Sequence, residues 1–194
     1  MSLVSNLFLI FVALSLLIYY IVPQKIQWIV LLVFSYIYYL AGGPRYVVFI
    51  LFSTFVTWLM AIFIEKTEEK GNHKGAKKLL ITGLILNFGM LGIVKYTNFT
   101  IENINALFHL HLRGIELLFP LGISFYTFQS SGYLLDVYWK RCKAEKQPFK
   151  YALFVSYFPQ ILQGPIGRYN RLANQLYEGH KFNGKNIVRG FERI

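Results

Sequence analysis

Long uncharged apolar stretches alternate with short charged segments along most of this chain. Residues 3–22 are twenty positions without a charge, enough at about 1.5 Å per residue to cross roughly 30 Å of hydrocarbon. Four more apolar stretches cover residues 26–40, 46–64, 79–94 and 117–138. This pattern predicts an all-α integral membrane protein, a single membrane domain with about five transmembrane helices.

Two segments between these stretches are more polar. Residues 65–78 contain five lysines and predict a solvated loop. Residues 97–113 place apolar side chains at roughly helical spacing, with asparagines and a glutamate between them. This mixed pattern predicts a short helix that lies at the membrane interface.

The last apolar stretch, residues 151–167, is interrupted by Pro159 and by the pair Gly164-Pro165. Proline removes a helical hydrogen bond, so a regular transmembrane helix is disfavoured here. A broken or re-entrant helix is predicted instead, because irregular backbone at membrane depth is tolerated where it packs in protein or lines a cavity.

Composition and charge support the membrane assignment and indicate an orientation. The chain is 55% hydrophobic and carries a net charge of +11. Its basic residues cluster between apolar stretches, which favours contact with headgroups over nucleic acid as a partner. Because basic loops favour the cytoplasm, residues 66–78 and 140–150 are predicted to lie inside, and the amino terminus outside the cytoplasm. The basic residues after position 167 also favour the inside, which makes residues 151–167 re-entrant.

The cysteine and histidine content predicts no metal site and no bound cofactor. Cys142 is the single cysteine, so an internal disulfide is excluded. It is interpreted as an ordinary loop cysteine, with a reactive or lipidated role as the alternative. His73 is interpreted as an isolated exposed residue. His109 and His111 cannot share one helical face, and both are interpreted as interfacial or exposed.

Two motifs resemble a known family. They are FPLGISFYTFQSSGYLLDVY, residues 119–138, and YALFVSYFPQILQGPIGRY, residues 151–169, with GIVKYTNF upstream at 92–99. In this order they resemble the membrane-bound O-acyltransferases, in particular the bacterial branch of alginate O-acetylation and D-alanyl transfer proteins. The chain is similar to the amino-terminal portion of that family, which makes the expected fold a truncated bundle of the same kind.

The resemblance implies an enzyme of the plasma or inner membrane with a tunnel through the bilayer. It implies transfer of an acyl group, acetyl or D-alanyl, from a cytoplasmic thioester donor, an acyl-CoA or a carrier protein, to hydroxyls of an envelope polysaccharide or other polymer. Acyl carrier and extracytoplasmic proteins are implied partners. The family's catalytic histidine is expected beyond Ile194, so none of the four histidines here, His180 included, is assigned that role. The chain is expected to be inactive by itself.

The polar residues of residues 119–168 are the candidates for a tunnel wall or donor site, because polar groups in lipid need protein or water partners. These candidates are Tyr126, Gln129, Asp136, Gln160, Gln163, Gly164, Pro165 and Arg168. Arg168 is the strongest, since a guanidinium holds a phosphate or carboxylate through two hydrogen bonds. The alternatives are anchoring to headgroups for Arg168, backbone capping for Gln160 and Gln163, exposure at headgroup level for Asp136, and packing for Tyr126.

Two other functions fit the composition and the predicted topology. Broken helices with polar residues also mark the substrate pathways of transporters and flippases. A non-catalytic membrane anchor subunit would show the same apolar stretches. Only the motif resemblance favours the acyltransferase over these alternatives.

Overall fold

The computed structural model describes residues 6–108, 120, 122–161, 167–182 and 184, and within them helices are joined by turns and short irregular segments without a strand. In chain order the helices are α1 (Asn6–Ile21), α2 (Gln27–Gly42), α3 (Val47–Glu69), α4 (His73–Phe108), α5 (Ile123–Tyr138), α6 (Pro148–Ser156), α7 (Phe158–Ile161) and α8 (Tyr169–Tyr177). Short 3-10 turns, Gln24–Ile26 and Pro44–Tyr46, join α1 to α2 and α2 to α3. The predicted all-α fold class is confirmed.

Three helical stretches of the described chain are long and apolar enough to cross a membrane, namely Gln24–Gly42, Pro44–Glu69 and His73–Leu107. Asn6–Ile21 is a shorter apolar helix. Large apolar side chains point outward on these helices, as Leu17 and Val48 do with 58% and 67% of their surface exposed. Such exposure is expected of a surface that faces lipid. The count of five transmembrane helices stays a prediction.

The helices extend further into polar sequence than the hydrophobic pattern predicted. The segment 65–78 is mostly helical, because α3 continues to Glu69 and α4 already begins at His73. The described part of 97–113 is not a separate helix, since α4 runs without interruption through Phe108. Lysine and glutamate are good helix formers. Polarity therefore marks where an apolar surface ends, and it does not mark where a helix ends.

A buried polar cluster joins α3 to α4. The Asn87 side chain accepts a hydrogen bond from the Ser53 hydroxyl at 2.6 Å and donates to Thr57 Oγ1 at 2.9 Å. Asn87 also donates to the carbonyl of Gly83 at 3.0 Å. All three side chains are at most 1% exposed. The cluster satisfies its polar groups internally, as an apolar surrounding requires.

The chain breaks after α6, as predicted for the stretch with Pro159. Helix α6 ends at Ser156, and Tyr157 has the non-helical angles φ −53° and ψ 105°. Its nine residues rise about 14 Å, roughly half the thickness of a bilayer core. Ile161, the last residue of α7, packs against the start of α5. Its carbonyl oxygen lies 2.7 Å from the position that a Cβ on Gly122 would occupy.

The chain then returns to the opposite end of α5. The hydroxyl of Tyr169 donates to Glu145 Oε2 at 2.7 Å, and the backbone N–H of Glu145 donates to the Tyr133 hydroxyl at 2.8 Å. The hydroxyl of Tyr177 donates to the carbonyl of Lys150 at 2.7 Å. Helix α8 therefore lies beside Glu145 and Lys150, where the chain enters α6.

Candidate functional site

Three of the predicted site residues line one cavity of about 260 Å³ between α5 and the start of α8. Helix α5 supplies Gln129 and Asp136, and Arg168 comes from the residue directly before α8. We call this space the α5–α8 cavity. Its remaining lining residues are Gly132, Tyr133, Leu135, Trp139, Arg141, Gly167 and Tyr169.

Gln129 is almost completely buried, with 2% of its surface exposed. Its Nε2 donates a hydrogen bond to the carbonyl of Phe154 at 3.1 Å, which ties α5 to α6. Its Oε1 is buried without a partner among the described residues. A buried amide oxygen without a partner costs about 1–3 kcal/mol.

Asp136 is mostly buried, and it does not lie exposed at headgroup level. Its side chain is 14% exposed, and its Oδ1 lies 3.6 Å from Nη1 of Arg141. The backbone supports this ion pair, because the N–H of Arg141 donates to the carbonyl of Asp136 at 2.8 Å. The Arg141 guanidinium also stacks over the ring of Trp139, 4.6 Å from its centre.

Arg141 and Trp139 were missed by the sequence reasoning, which treated the basic loop only as a topology signal. The local signal was present, because an aromatic and two cations directly follow the last turn of α5. At the end of a helix an arginine can fold back onto a carboxylate of the last turn, as Arg141 does onto Asp136. Hydrophobic periodicity does not predict this contact, because the chain leaves the helix there, with Lys140 at a φ of +57°.

Arg168 is exposed and occupies the capping position of α8, with no hydrogen bond from its side chain to that helix. The half-buried side chain of Gln160 lies beside Gly167, because a Cβ on Gly167 would stand 3.5 Å from Gln160 Nε2. Gln160 is near the lining residue Gly167 but does not itself line the cavity. Backbone capping by Gln160 stays a prediction.

The other predicted residues do not line this cavity in the described chain. Tyr126 is completely buried in the core, where it belongs to the packed cluster with Ile123 and Leu134. Gln163, Gly164 and Pro165 lie outside the described residues, as do His109 and His111. Their predicted roles stay predictions.

The loop between α5 and α6 is fixed to the bundle at several points. Glu65 Oε1 accepts the backbone N–H of Ala144 at 3.0 Å. Asn170 donates to the carbonyl of Arg141 at 2.7 Å. Burial raises the pKa of Tyr169, so that its hydroxyl stays protonated and donates to the carboxylate of Glu145. These bonds fix the loop against α3 and the start of α8.

Cys142 is half-buried within this loop. Burial, and to a smaller extent the carboxylates of Asp136 and Glu65, together raise the pKa of its thiol to about 12. The thiol is therefore protonated at neutral pH, which argues against a reactive role.

Two histidines have partners that the sequence did not predict. His73 is not isolated, because its Nδ1 lies 2.7 Å from Oε2 of Glu68. The backbone N–H of His180 donates to Gln27 Oε1 at 2.8 Å, and its ring lies 3.2 Å from the Tyr19 hydroxyl. The described part of the chain contains no group of three or more His, Cys, Asp or Glu residues arranged to hold a metal ion.

The geometry defines a helical membrane protein with a polar cavity at one end of α5. The chain is 34% identical over 178 residues to the probable alginate O-acetylase AlgI of Pseudomonas syringae pv. tomato. The matched region covers 88% of this chain and 34% of that protein. It is 33% identical to the protein of that name from Pseudomonas putida, over 88% of this chain and 36% of that protein. The peptidoglycan O-acetyltransferase of Helicobacter pylori is 30% identical over 84% of this chain and 35% of that protein.

These similarities confirm the resemblance to the membrane-bound O-acyltransferases. The chain spans about a third of the length of the curated relatives it matches. No protein-family model matches the chain. No solved structure matches it either.

Proposed function

We propose that this chain is part of a membrane O-acyltransferase that acylates hydroxyls of a cell-envelope polysaccharide or related polymer. The supporting observation is its similarity, over most of its length, to proteins named alginate O-acetylase and peptidoglycan O-acetyltransferase. Acetyl is the favoured group because both names specify it, with D-alanyl as the alternative.

The chemistry needs a general base near the acceptor hydroxyl and donors that stabilise the developing oxyanion. We assign the base to a histidine outside these 194 residues, so the chain alone is expected to lack activity. The α5–α8 cavity is assigned to the donor side. There the thioester donor, an acyl-CoA or acyl carrier protein, would place an anionic group against Arg168.

The proposed setting is the plasma or inner membrane, with the loop between α5 and α6 on the cytoplasmic side and the amino terminus outside. In this orientation the donor binds from the cytoplasmic face of the membrane, and the polymer acceptor lies at the extracellular face. Carrier and extracytoplasmic proteins are proposed partners. Lys143 and Lys146 are exposed in the loop that also carries Arg141 and would attract an anionic donor.

The test is expression of the full-length gene in a host that lacks envelope O-acetylation. We expect base-labile acetate on the envelope polymer, measured as acetate released by mild alkali. Arg168→Gln should lower this ester content mainly by raising the KM for the donor. The matched control is Arg171→Gln, an exposed arginine of α8 that does not line the cavity.

Absence of any ester from the wild-type host, with the protein present in the membrane, would refute the proposal. Polymer accumulation in vesicles without ester formation would favour a transporter instead.

A further inference from the structure

We propose that Glu68 of α3 is a positioning residue for the α5–α8 cavity, because it holds the turn after α5 through Lys140 and thereby keeps Arg141 on Asp136. The inference rests on the proposed function only where it concerns binding of the donor. The geometry of the turn is tested separately from acyl transfer.

Two backbone hydrogen bonds close the turn after α5. The N–H of Lys140 donates to the carbonyl of Val137 at 3.0 Å, and the N–H of Arg141 donates to the carbonyl of Asp136 at 2.8 Å. These two bonds form a Schellman motif, in which the residue just past the helix is left-handed and is usually glycine. Here that residue is Lys140, with a φ of +57°.

Lysine is strained at this position, because its Cβ is crowded in the left-handed conformation. Within the described residues, no other residue with a side chain has a positive φ. Such strain persists where surrounding contacts determine the backbone, and it occurs mostly at functional sites. The sequence of the turn does not explain the conformation, so the contact that holds it must come from another element.

Glu68 supplies this contact from the end of α3. Its Oε2 lies 3.3 Å from Nζ of Lys140, and the Glu68 side chain is only 6% exposed. His73, at the start of α4, lies 2.7 Å from the same oxygen through its Nδ1. An almost buried carboxylate needs such partners. The position of Lys140 is therefore coupled to the ends of α3 and α4.

The turn places its side chains in two neighbouring spaces. Trp139 and Arg141 line the α5–α8 cavity. Lys140 and Cys142 line a second pocket together with Glu68. Because one turn carries both sets of side chains, a carboxylate that fixes Lys140 in the second pocket also fixes Arg141 in the cavity.

Helix α8 holds the same turn from its other side. Asn170 donates to the carbonyl of Arg141 at 2.7 Å. The Arg141 guanidinium lies 3.6 Å from Asp136, and its side chain is 53% exposed. An ion pair with this distance and exposure is weak by itself. Its geometry therefore depends on where the backbone of the turn lies, which Glu68 and Asn170 set together.

Glu68 does not line the α5–α8 cavity, so its effect on the donor must pass through the turn. A displaced Arg141 would leave Asp136 as an unpaired carboxylate in the cavity that also contains Arg168. A negative charge there opposes an anionic donor. Loss of the Glu68 contact should therefore raise the KM for the donor and leave kcat unchanged, since Glu68 touches no reacting atom.

The local test is the rate at which Cys142 reacts with maleimide in the full-length protein, measured by mass spectrometry on the peptide that carries it. The carboxylates that raise the pKa of this thiol are Asp136 and Glu65, so a changed rate in Glu68→Gln reports movement of the turn. We expect a rise of at least about tenfold, as a fall of one unit in the thiol pKa would give. Glu69→Gln, at an exposed neighbour on α3, is the matched control and should react as the wild type does.

A second pair of variants separates the ion pair from the backbone strain. Lys140→Ala and Lys140→Gly both remove the ammonium group, but only glycine adopts a φ of +57° without strain. Lys140→Ala should raise the Cys142 rate about tenfold, and Lys140→Gly should stay within about twofold of the wild type. Lys140→Gly should also restore the slow rate in the Glu68→Gln background. The Lys140 side chain is 64% exposed, so both variants should fold, which a thermal melt in detergent checks.

The activity test measures ester formation on the envelope polymer at several donor concentrations. Glu68→Gln should raise the KM for the donor at least about threefold at an unchanged kcat, and adding Lys140→Gly should lower the KM again. Equal Cys142 rates in Glu68→Gln and Glu69→Gln overturn the proposal, as do equal rates in Lys140→Ala and Lys140→Gly. A lower kcat at an unchanged KM also overturns it. Expected Cys142 rates in a wild type that forms no ester would support the positioning of the turn and refute only the proposed function.

Discussion

Cys142 illustrates how far a side chain's surroundings can alter chemistry that its sequence neighbours suggest. It is flanked by Arg141 and Lys143, and nearby cations lower a thiol pKa. In the fold the thiol is half-buried and its nearby charges include Asp136 and Glu65. Burial and the two carboxylates together raise the pKa to about 12.

The raised pKa predicts a slow reaction of Cys142 with maleimide. The thiolate is the reactive form, and below the pKa its fraction rises about tenfold for each pH unit. At pH 7.5 the rate should be roughly 100-fold or more below that of an exposed cysteine, and it should rise steadily up to pH 9. Mass spectrometry of timed samples measures both rates.

The matched control is Lys143→Cys in a Cys142→Ser background, because Lys143 is the exposed neighbour in the same loop. Equal maleimide reaction rates at positions 142 and 143 would contradict the prediction that the Cys142 thiol is shielded.

At the scale of helices, α3 and α4 are joined by polar hydrogen bonds that the pattern of apolar residues does not predict. Asn87 accepts from Ser53 and donates to Thr57, and all three are buried. Isolated polar residues in long apolar helices give no periodic signal. Their partners are therefore decided by which helices become neighbours.

Replacing Asn87 by alanine should destabilise the protein by about 1 kcal/mol. The change removes two side-chain hydrogen bonds between helices and leaves the hydroxyls of Ser53 and Thr57 without this partner. The midpoint of thermal unfolding in detergent measures the effect. Asn103→Ala is the control, because Asn103 is exposed on the same helix, and an equal loss there would contradict the prediction.

The start of α5 depends on a glycine. Gly122 has a φ of +69°, and a Cβ there would lie 2.7 Å from the carbonyl of Ile161. Gly122→Ala should therefore destabilise the contact between α5 and α7 by more than about 1 kcal/mol. Gly89→Ala in α4 should be neutral or stabilising, because nothing lies within 4 Å of its Cβ position. Thermal unfolding of both variants checks the difference in sign.

At the scale of the whole molecule, the chain leaves one end of α5, reaches the other end at Gly122, and returns. The hydrogen bonds of Tyr169 to Glu145 and of Tyr177 to Lys150 mark the return. The segment around His180 then lies against Gln27 at the start of α2. We therefore expect the loop before α6, helix α8 and the α1–α2 turn to share one membrane face.

This arrangement predicts the sidedness of introduced cysteines. In a Cys142→Ser background, Lys150→Cys and Asn174→Cys should both react with an impermeant reagent from the cytoplasmic face only. Arg45→Cys, in the turn between α2 and α3, should react from the opposite face. Labelling of positions 150 and 174 from different faces would show that residues 151–167 cross the membrane.

Much of the fold was predictable because burial in lipid imposes a strong pattern. Apolar stretches indicated α1 to α5, and Pro159 indicated the break after α6. Helix ends were less predictable, as the continuous α4 shows, because lysine, glutamate and asparagine allow a helix to continue beyond the apolar stretch. Within the candidate site, Gln129, Asp136 and Arg168 were predicted from polarity in an apolar setting.

The sequence by itself determined the class of protein, since charge and hydrophobicity along the chain decide what a bilayer accepts. Only the tertiary structure decided which polar residues share a cavity. Tyr126 and Gln129 lie on one helix, yet only Gln129 lines the α5–α8 cavity together with Arg168. The physical reason is that such contacts depend on how α5, the following loop and α8 pack together, and residue spacing alone does not contain that information.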